Sequence, residues 1–138
     1  MVKYLIAAHG RAAGGIKESL EVLLGACPQV ETFDAYVDEK NPQEEIRKRV
    51  EAVNEEDTLV MLSDLPGGSV NQIMMGFLDR PRTYLVTGAS IALAVGLVSA
   101  YTDQITEEDL RETIRESREL MDLVSLEGAG GGGEDFFS

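Results

Sequence analysis

The chain has 138 residues and a mass of 15.0 kDa, a length that predicts a single domain. Its formal net charge of −13 argues against binding to nucleic acid or to an anionic membrane surface, because both need a basic face. The single cysteine excludes an intrachain disulfide, and the absence of a cysteine pair and of a signal peptide favours the cytoplasm. One histidine and one cysteine form no usual ligand cluster, so we expect no metal site.

Apolar and β-branched runs predict four strands along the chain. They are Lys3–Ala8, Val30–Val37, Thr58–Ser63 and Thr83–Thr87. The third run is apolar almost throughout, which is typical of a parallel sheet that is covered on both faces. The longest apolar run, 89–100, is about a dozen residues and falls short of the ~20 that span a bilayer.

Apolar residues at helical spacing predict helices between these strands. The expected buried stripes are Ile16, Leu20, Leu23 and Leu24; Ile46, Val50 and Val53; Val70, Ile73, Met74 and Phe77; the run 89–100; and Leu110, Ile114 and Met121. Asn41-Pro42 and the capping-box sequence Thr106–Asp109 predict two helix starts. Strands that alternate with helices predict an α/β fold, a parallel sheet with helices on both faces.

The end of the chain differs in composition from the rest. Leu123–Leu126 is short and apolar and is a candidate for a fifth strand. Residues 128–133 are nearly all glycine, which predicts a flexible tail without core side chains. We therefore divide the chain into a domain at 1–126 and a tail at 127–138.

His9, the only histidine, directly follows the first predicted strand and precedes Gly10. Functional side chains of open α/β sheets occupy this position, at the carboxyl end of a parallel strand. Asp64 follows the third strand, and in a doubly wound sheet the first and third strands can be neighbours, with their carboxyl ends at the same edge. Asp64 would then bond one imidazole nitrogen and leave the lone pair of the other free, with the histidine as the nucleophile.

The sequence after Asp64 contains features of an anion site. Gly67 and Gly68 allow backbone N–H groups to approach an anion closely, and Ser69 adds a hydroxyl at the start of the next helix. Each feature has an ordinary alternative: a tight turn for the glycines, a helix cap for Ser69, a turn residue for Asp64 and a strand cap for His9. Their coincidence favours a histidine that accepts and transfers a phosphoryl group.

Two motifs carry a family resemblance over residues 1–126. They are Leu5-Ile6-Ala7-Ala8-His9-Gly10 and Ser63-Asp64-Leu65-Pro66-Gly67-Gly68-Ser69, with Asn71 just after; Tyr84–Gly88 is a weaker third match. With these motifs the chain resembles the IIA domain of the mannose family of the phosphoenolpyruvate-dependent sugar phosphotransferase system (PTS). That family has a parallel sheet with helices on both faces, and a last strand that is exchanged across a homodimer. The resemblance implies that Leu123–Leu126 is this strand.

The resemblance also implies a function and partners. His9 would be phosphorylated by the phosphocarrier protein HPr and would pass the phosphoryl group to a IIB component, with Asp64 as its hydrogen-bond partner and Gly68 and Ser69 at the phosphoryl group. The link to the membrane would be indirect, through the IIC and IID subunits. No metal, nucleotide or other cofactor is required, because the N–P bond of phosphohistidine is already reactive, and no Gly-Lys-Ser/Thr sequence of an ATP-binding loop occurs.

Three alternatives remain at this point. The first is the phosphocarrier domain of a dihydroxyacetone kinase system, which would use the same histidine. The second is a regulatory or interaction module of the same fold that is not phosphorylated; the presence of His9, Asp64 and Ser69 argues against it. The third is a hydrolase using Ser69 or His9, for which no nucleophile elbow or complete triad is recognisable.

Overall fold

The computed structural model describes residues 1–127, which form a four-stranded parallel sheet and five α-helices. In chain order the elements are β1 Val2–His9, α1 Ala12–Leu24, β2 Val30–Ala35, α2 Pro42–Glu51, β3 Thr58–Ser63, α3 Ser69–Met75, β4 Thr83–Thr87, α4 Ile91–Ala100 and α5 Glu107–Glu119. The α/β class and the parallel sheet predicted from the sequence are confirmed. None of the helices in residues 1–127 is long and apolar enough to cross a membrane.

The sheet has the strand order β2-β1-β3-β4, so the chain reverses its direction of growth between β1 and β3. Ligands of open α/β sheets bind at such a switch point, beyond the carboxyl ends of the strands. The register pairs Ala7 with Ser63 and His9 with Ala35. This register brings His9 close to the residues that follow β2 and β3.

The two faces of the sheet form two separate cores, because successive strand side chains point to opposite faces. On one face Tyr4 and Ile6 of β1 belong to a buried cluster with side chains of α1, α4 and α5. On the other face Leu5 and Ala7 belong to a cluster with side chains of α2 and α3. Helices therefore cover both faces, as predicted, and β1 is buried almost along its whole length.

The predicted helix starts at Asn41 and Thr106 are both confirmed. The Asn41 side chain accepts a hydrogen bond from the Glu44 N–H, and Pro42 occupies the first helical position. Thr106 and Asp109 form a reciprocal capping box. These caps satisfy backbone N–H groups that a helix cannot pair internally, and they fix where α2 and α5 begin.

Several predicted stripes and ends differ from the structure. α1 starts at Ala12 and buries Ala13 and Leu20, whereas Leu23 and Leu24 are exposed because the last turn extends past the part of the helix that packs on the core. Met121 is also exposed, since it lies beyond the end of α5.

The second strand ends at Ala35 instead of Val37. Tyr36 has φ +66°, a left-handed conformation that cannot continue a strand.

The segment after α5 forms no β-strand within residues 120–127. Leu123, Val124 and Leu126 expose nearly all of their side chains. A fifth strand within one chain is therefore absent from residues 1–127, and exchange with a second chain stays a prediction. Apart from Glu127, the predicted tail lies outside the described residues.

One contact anchors α1 directly after the His9 turn and yields a test. The Asp34 carboxylate at the end of β2 accepts a hydrogen bond from the Gly14 N–H at 2.8 Å. A Cβ on Gly14 would lie 3.0 Å from an Asp34 oxygen, whereas a Cβ on Gly15 would have nothing within 4 Å.

We expect Gly15→Ala to raise the free energy of unfolding by about 0.5–1 kcal/mol, the usual gain in a helix interior. Gly14→Ala should lack this gain and fall to the wild-type stability or below it, because the Asp34 carboxylate has to move. Urea unfolding of the two variants measures the difference. Equal stabilisation by both substitutions would contradict the anchoring role of Asp34.

Candidate functional site

His9 is the last residue of β1, and its side chain is 44% exposed. Gly10 follows with φ +63°, a left-handed conformation that glycine adopts without steric cost, and its N–H donates to the Ala35 carbonyl at 2.8 Å. The backbone on both sides of His9 is thus held by hydrogen bonds while the imidazole faces the open edge of the sheet. A rigid strand end therefore presents the only histidine to solvent.

Asp64 meets His9 from the end of β3, as the sequence analysis predicted. Its Oδ2 accepts the His9 backbone N–H at 2.8 Å and lies 2.8 Å from His9 Nδ1. Its other oxygen accepts the Leu65 N–H at 3.0 Å. One carboxylate thus fixes both the backbone and the ring of His9.

The protonation of this pair follows from the same contacts. Partial burial raises the pKa of the Asp64 carboxyl, but the hydrogen bonds from the His9 backbone and ring outweigh it and hold that pKa below its usual value of about 3.8. An ionised carboxylate only accepts hydrogen bonds, so Nδ1 carries the proton. The neutral imidazole then has its lone pair on Nε2.

Ser69 lies on the Nε2 side of the ring. Its Oγ is 3.4 Å from Nε2. Ser69 is the first residue of α3. A Cβ on Gly68 would lie 3.3 Å from the Leu65 carbonyl oxygen and 3.7 Å from His9 Cε1, so the glycine leaves room beside the imidazole.

Gly67 and Gly68 contribute differently from Ser69. Gly67 has φ +75°, which suits the turn, and its carbonyl accepts the Gln72 side-chain N–H at 3.3 Å. The Gly68 N–H donates to the Leu65 carbonyl at 3.2 Å within the loop. The Ser69 hydroxyl is therefore the group of the predicted anion site that lies close to Nε2, and phosphoryl binding by the two glycines stays a prediction.

A buried polar network supports this loop from below. The Ser63 hydroxyl lies 2.6 Å from Asn71 Oδ1 and 2.9 Å from Thr87 Oγ1. Ser63 is fully buried and Asn71 nearly so, and buried hydrogen bonds of this kind hold one arrangement because an unpaired polar group there is costly. The network connects the ends of β3 and β4 to the first turn of α3, on either side of the loop that carries Asp64 and Gly68.

Sequence reasoning missed one residue of the site, Tyr36. Its ring centroid lies 5.2 Å from that of His9, and its hydroxyl is 2.8 Å from Ser69 Oγ. It follows the end of β2, which is the strand beside β1. The available signal was its place at the predicted carboxyl end of a strand, but its relation to His9 depended on knowing the strand order.

Residues 1–127 contain neither a cluster of metal-ligating side chains nor a reactive cysteine. No group of three or more His, Cys, Asp or Glu residues is placed to hold a metal ion within residues 1–127. Cys27 is buried and donates to the Gly25 carbonyl, and burial raises the pKa of its thiol. It therefore lacks the thiolate character of a reactive cysteine.

Comparison with protein families gives a match over residues 3–115, to the family described as "PTS system fructose IIA component". The chain belongs to this PTS IIA family. The resemblance stated from the two motifs is confirmed. Comparison with curated protein sequences gave no match.

Solved structures show the same relationship. A Klebsiella pneumoniae protein, proposed to be a PTS permease, is 29% identical with a TM-score of 0.83, and the alignment covers 88% of this chain and 90% of that one. The PTS IIA protein associated with the fucose utilization operon of Streptococcus pneumoniae is 26% identical with a TM-score of 0.76, covering 88% and 92%. The mannose/sorbose specific IIA subunit from Enterococcus faecalis is 20% identical with a TM-score of 0.74, covering 90% and 95%, and supports the fold.

The Asp64 contacts predict a specific dependence of stability on pH. A carboxyl whose folded pKa is lowered stabilises the fold fully above its unfolded pKa, and this stabilisation is lost as the pH falls through the folded pKa. We therefore expect wild type to be more stable than Asp64→Asn at neutral pH, and we expect this advantage to shrink below about pH 3.8.

Urea unfolding at a series of pH values measures this difference. Asp103→Asn is the control, because Asp103 is exposed and lies near the amino end of β1, at the opposite edge of the sheet. It should change stability little at any pH. A wild-type advantage over Asp64→Asn that does not shrink below about pH 3.8 would contradict the contacts described for this carboxylate.

Proposed function

We propose that this IIA component is a phosphocarrier that accepts a phosphoryl group on His9 Nε2 from phosphorylated HPr and passes it to a IIB component for sugar uptake and phosphorylation. The observation that carries the proposal is the geometry of one ring. Its Nδ1 is hydrogen-bonded to the ionised carboxylate of Asp64, and its Nε2 lies at the open edge of the sheet beside the Ser69 hydroxyl. A nucleophile needs an unprotonated nitrogen whose lone pair is held in a fixed orientation.

The transfer step uses the groups of this site without a further reactant. The Nε2 lone pair of His9 attacks the phosphorus of the HPr phosphohistidine, and the N–P bond in HPr breaks with its electron pair returning to the HPr imidazole. The His9 ring then carries a proton on Nδ1 and phosphorus on Nε2. Asp64 stabilises the positive charge that this places on the ring. In the second step an acceptor side chain of the IIB component attacks the same phosphorus, and the electron pair returns to Nε2.

The roles of the loop residues follow from their positions. The Ser69 hydroxyl donates a hydrogen bond to a phosphoryl oxygen, which carries negative charge throughout the transfer. Gly68 keeps the space next to the imidazole free of a side chain. Gly67 provides the turn that precedes both residues, and Gly67, Gly68 and Ser69 together form the phosphoryl-binding loop of this proposal.

Exposed apolar surface around His9 supports docking of a protein donor. Leu65 is 59% exposed next to Gly68, and Tyr36 lies against the His9 ring with half of its side chain exposed. Apolar side chains around a reactive group favour a protein partner, because their burial on contact provides binding energy. The names of the related structures concern sugar PTS components, which supports sugar transport over the dihydroxyacetone branch.

We also propose a homodimer in which segment 123–126 of each chain pairs with the edge strand β4 of the other chain. β4 is an edge strand of the sheet, and two grooves of about 260 and 250 Å³ lie between it and α5. An edge strand leaves backbone N–H and C=O groups without a strand partner, and exposed apolar side chains are unfavourable in water. Pairing the segment with β4 of a second chain would remove both costs.

The carrier role is tested by incubation with phosphoenolpyruvate, enzyme I and HPr, followed by intact mass measurement. We expect wild type to gain the mass of one phosphoryl group that is lost in mild acid, and His9→Ala to gain none. Because His9 is the only histidine, no other residue can form a phosphohistidine. Circular dichroism checks that the variant is folded, and acid-labile phosphate on folded His9→Ala would overturn the assignment.

The dimer is tested by truncation before Leu123. We expect full-length protein to sediment as a dimer and the truncated chain as a monomer of unchanged secondary structure, because the side chains of Leu123, Val124 and Leu126 are exposed and do not belong to the buried core of their own chain. Leu123→Asp combined with Leu126→Asp in the full-length chain is the matched control for chain length. A truncated chain that stays a tight dimer would contradict strand exchange.

A further inference from the structure

Tyr36 combines an unusual backbone with two contacts to the site. Its φ of +66° lies in the left-handed region, which a bulky aromatic residue rarely occupies. Its side chain is 53% exposed, so core packing does not account for the conformation. Strained residues of this kind cluster at functional sites, where the surrounding structure holds them for a purpose.

The purpose is indicated by what the side chain touches. The ring is tilted by 31° against that of His9 at a centroid distance of 5.2 Å, and the hydroxyl is 2.8 Å from Ser69 Oγ. Ser69 Oγ is in turn 3.4 Å from His9 Nε2. Asp64, His9, Ser69 and Tyr36 thus form one chain of hydrogen-bonding groups that starts at the ionised carboxylate.

The direction of the hydrogen bonds in this chain follows from its ionised end. Asp64 keeps the proton on Nδ1, so Nε2 presents a lone pair toward Ser69. If Ser69 donated to Tyr36, the serine oxygen would turn its own lone pairs toward Nε2, and the contact would be repulsive. If Tyr36 donates to Ser69 Oγ, the serine proton is free to point at Nε2. The second arrangement is favourable at both contacts.

The same arrangement suits the phosphorylated ring. With phosphorus on Nε2, the serine proton points toward a phosphoryl oxygen in place of the lone pair. A hydroxyl that already accepts a hydrogen bond is also a stronger donor, because neighbouring hydrogen bonds polarise one another. Tyr36 would therefore strengthen the contact that Ser69 makes during transfer.

We propose that Tyr36 is a positioning residue for phosphoryl transfer. Its hydroxyl donates a hydrogen bond to Ser69 Oγ and so directs the Ser69 O–H toward the group on His9 Nε2. This inference rests on the proposed function of His9. It assigns the left-handed conformation of Tyr36 to a role in the transfer step: the turn after β2 brings the hydroxyl to Ser69.

The test uses full-length Tyr36→Phe, Ser69→Ala and the double variant, with phosphorylated HPr as the donor. Tyr36→Phe keeps the aromatic ring on His9 and removes only the hydroxyl. We expect each single variant to lower kcat by about five- to tenfold, the effect of one lost hydrogen bond, with KM for phosphorylated HPr changed by less than about twofold. The double variant should be no slower than Ser69→Ala, because Tyr36 acts through Ser69.

Tyr101→Phe is the matched control, since it also removes a tyrosine hydroxyl, and Tyr101 follows α4 directly before Thr102, whose carbonyl accepts the Val2 N–H at the amino end of β1, the edge of the sheet opposite His9. Its kcat and KM should equal those of wild type. An unchanged kcat in Tyr36→Phe, a loss confined to KM, or multiplied losses in the double variant would each overturn the role of Tyr36 while the carrier function stands. A wild-type protein that accepts no phosphoryl group would overturn the proposed function itself, and the inference with it.

Discussion

The geometry of the His9 site depends on one carboxylate oxygen that holds both the backbone and the side chain of that residue. Asp64 Oδ2 accepts the His9 N–H and lies at the same distance, 2.8 Å, from His9 Nδ1. The two contacts tie the end of β3 to the end of β1 and select one orientation and one tautomer of the imidazole. Without them the ring would be a half-exposed histidine that is free to rotate and to exchange its proton between two nitrogens.

The remaining parts of the site preserve this geometry. Each strand contributes one group near its carboxyl end: His9 from β1, Tyr36 after β2, Asp64 after β3 and Thr87 from β4. Parallel strands place these ends at one edge, and the buried contacts of Ser63 hold the loop between β3 and α3 in place. A site preorganised in this way loses little entropy when a phosphoryl donor arrives, which suits the proposed phosphocarrier role.

Much of this could be predicted from the sequence. The four strands and the pairing of His9 with Asp64 follow from apolar runs that end in polar residues and from the rule that parallel strands share their carboxyl edge. The residues that escaped prediction depend on information outside local patterns. The apolar pattern places Tyr36 within a strand, because its left-handed backbone leaves no mark in that pattern, and its relation to Ser69 requires the strand order.

Other differences have the same origin. Leu23 and Leu24 have the helical phase of a buried stripe, but the extent of the core along α1 is a property of the packed structure. The engagement of the Gly68 N–H by the Leu65 carbonyl depends on the conformation of the loop. The pairing of segment 123–126 requires a second chain, so one chain leaves these side chains exposed.

We propose that Asp64 holds the Nδ1–H tautomer of His9 so that Nε2 carries the phosphoryl group. Nitrogen-15 and phosphorus-31 NMR of protein labelled at histidine tests this claim most directly, because His9 gives the only imidazole signals. We expect the neutral ring to be protonated on Nδ1 and unprotonated on Nε2, and we expect a phosphorus–nitrogen coupling to Nε2 after incubation with phosphorylated HPr. Phosphorus bonded to Nδ1, or a resting ring protonated on Nε2 alone, would contradict this claim.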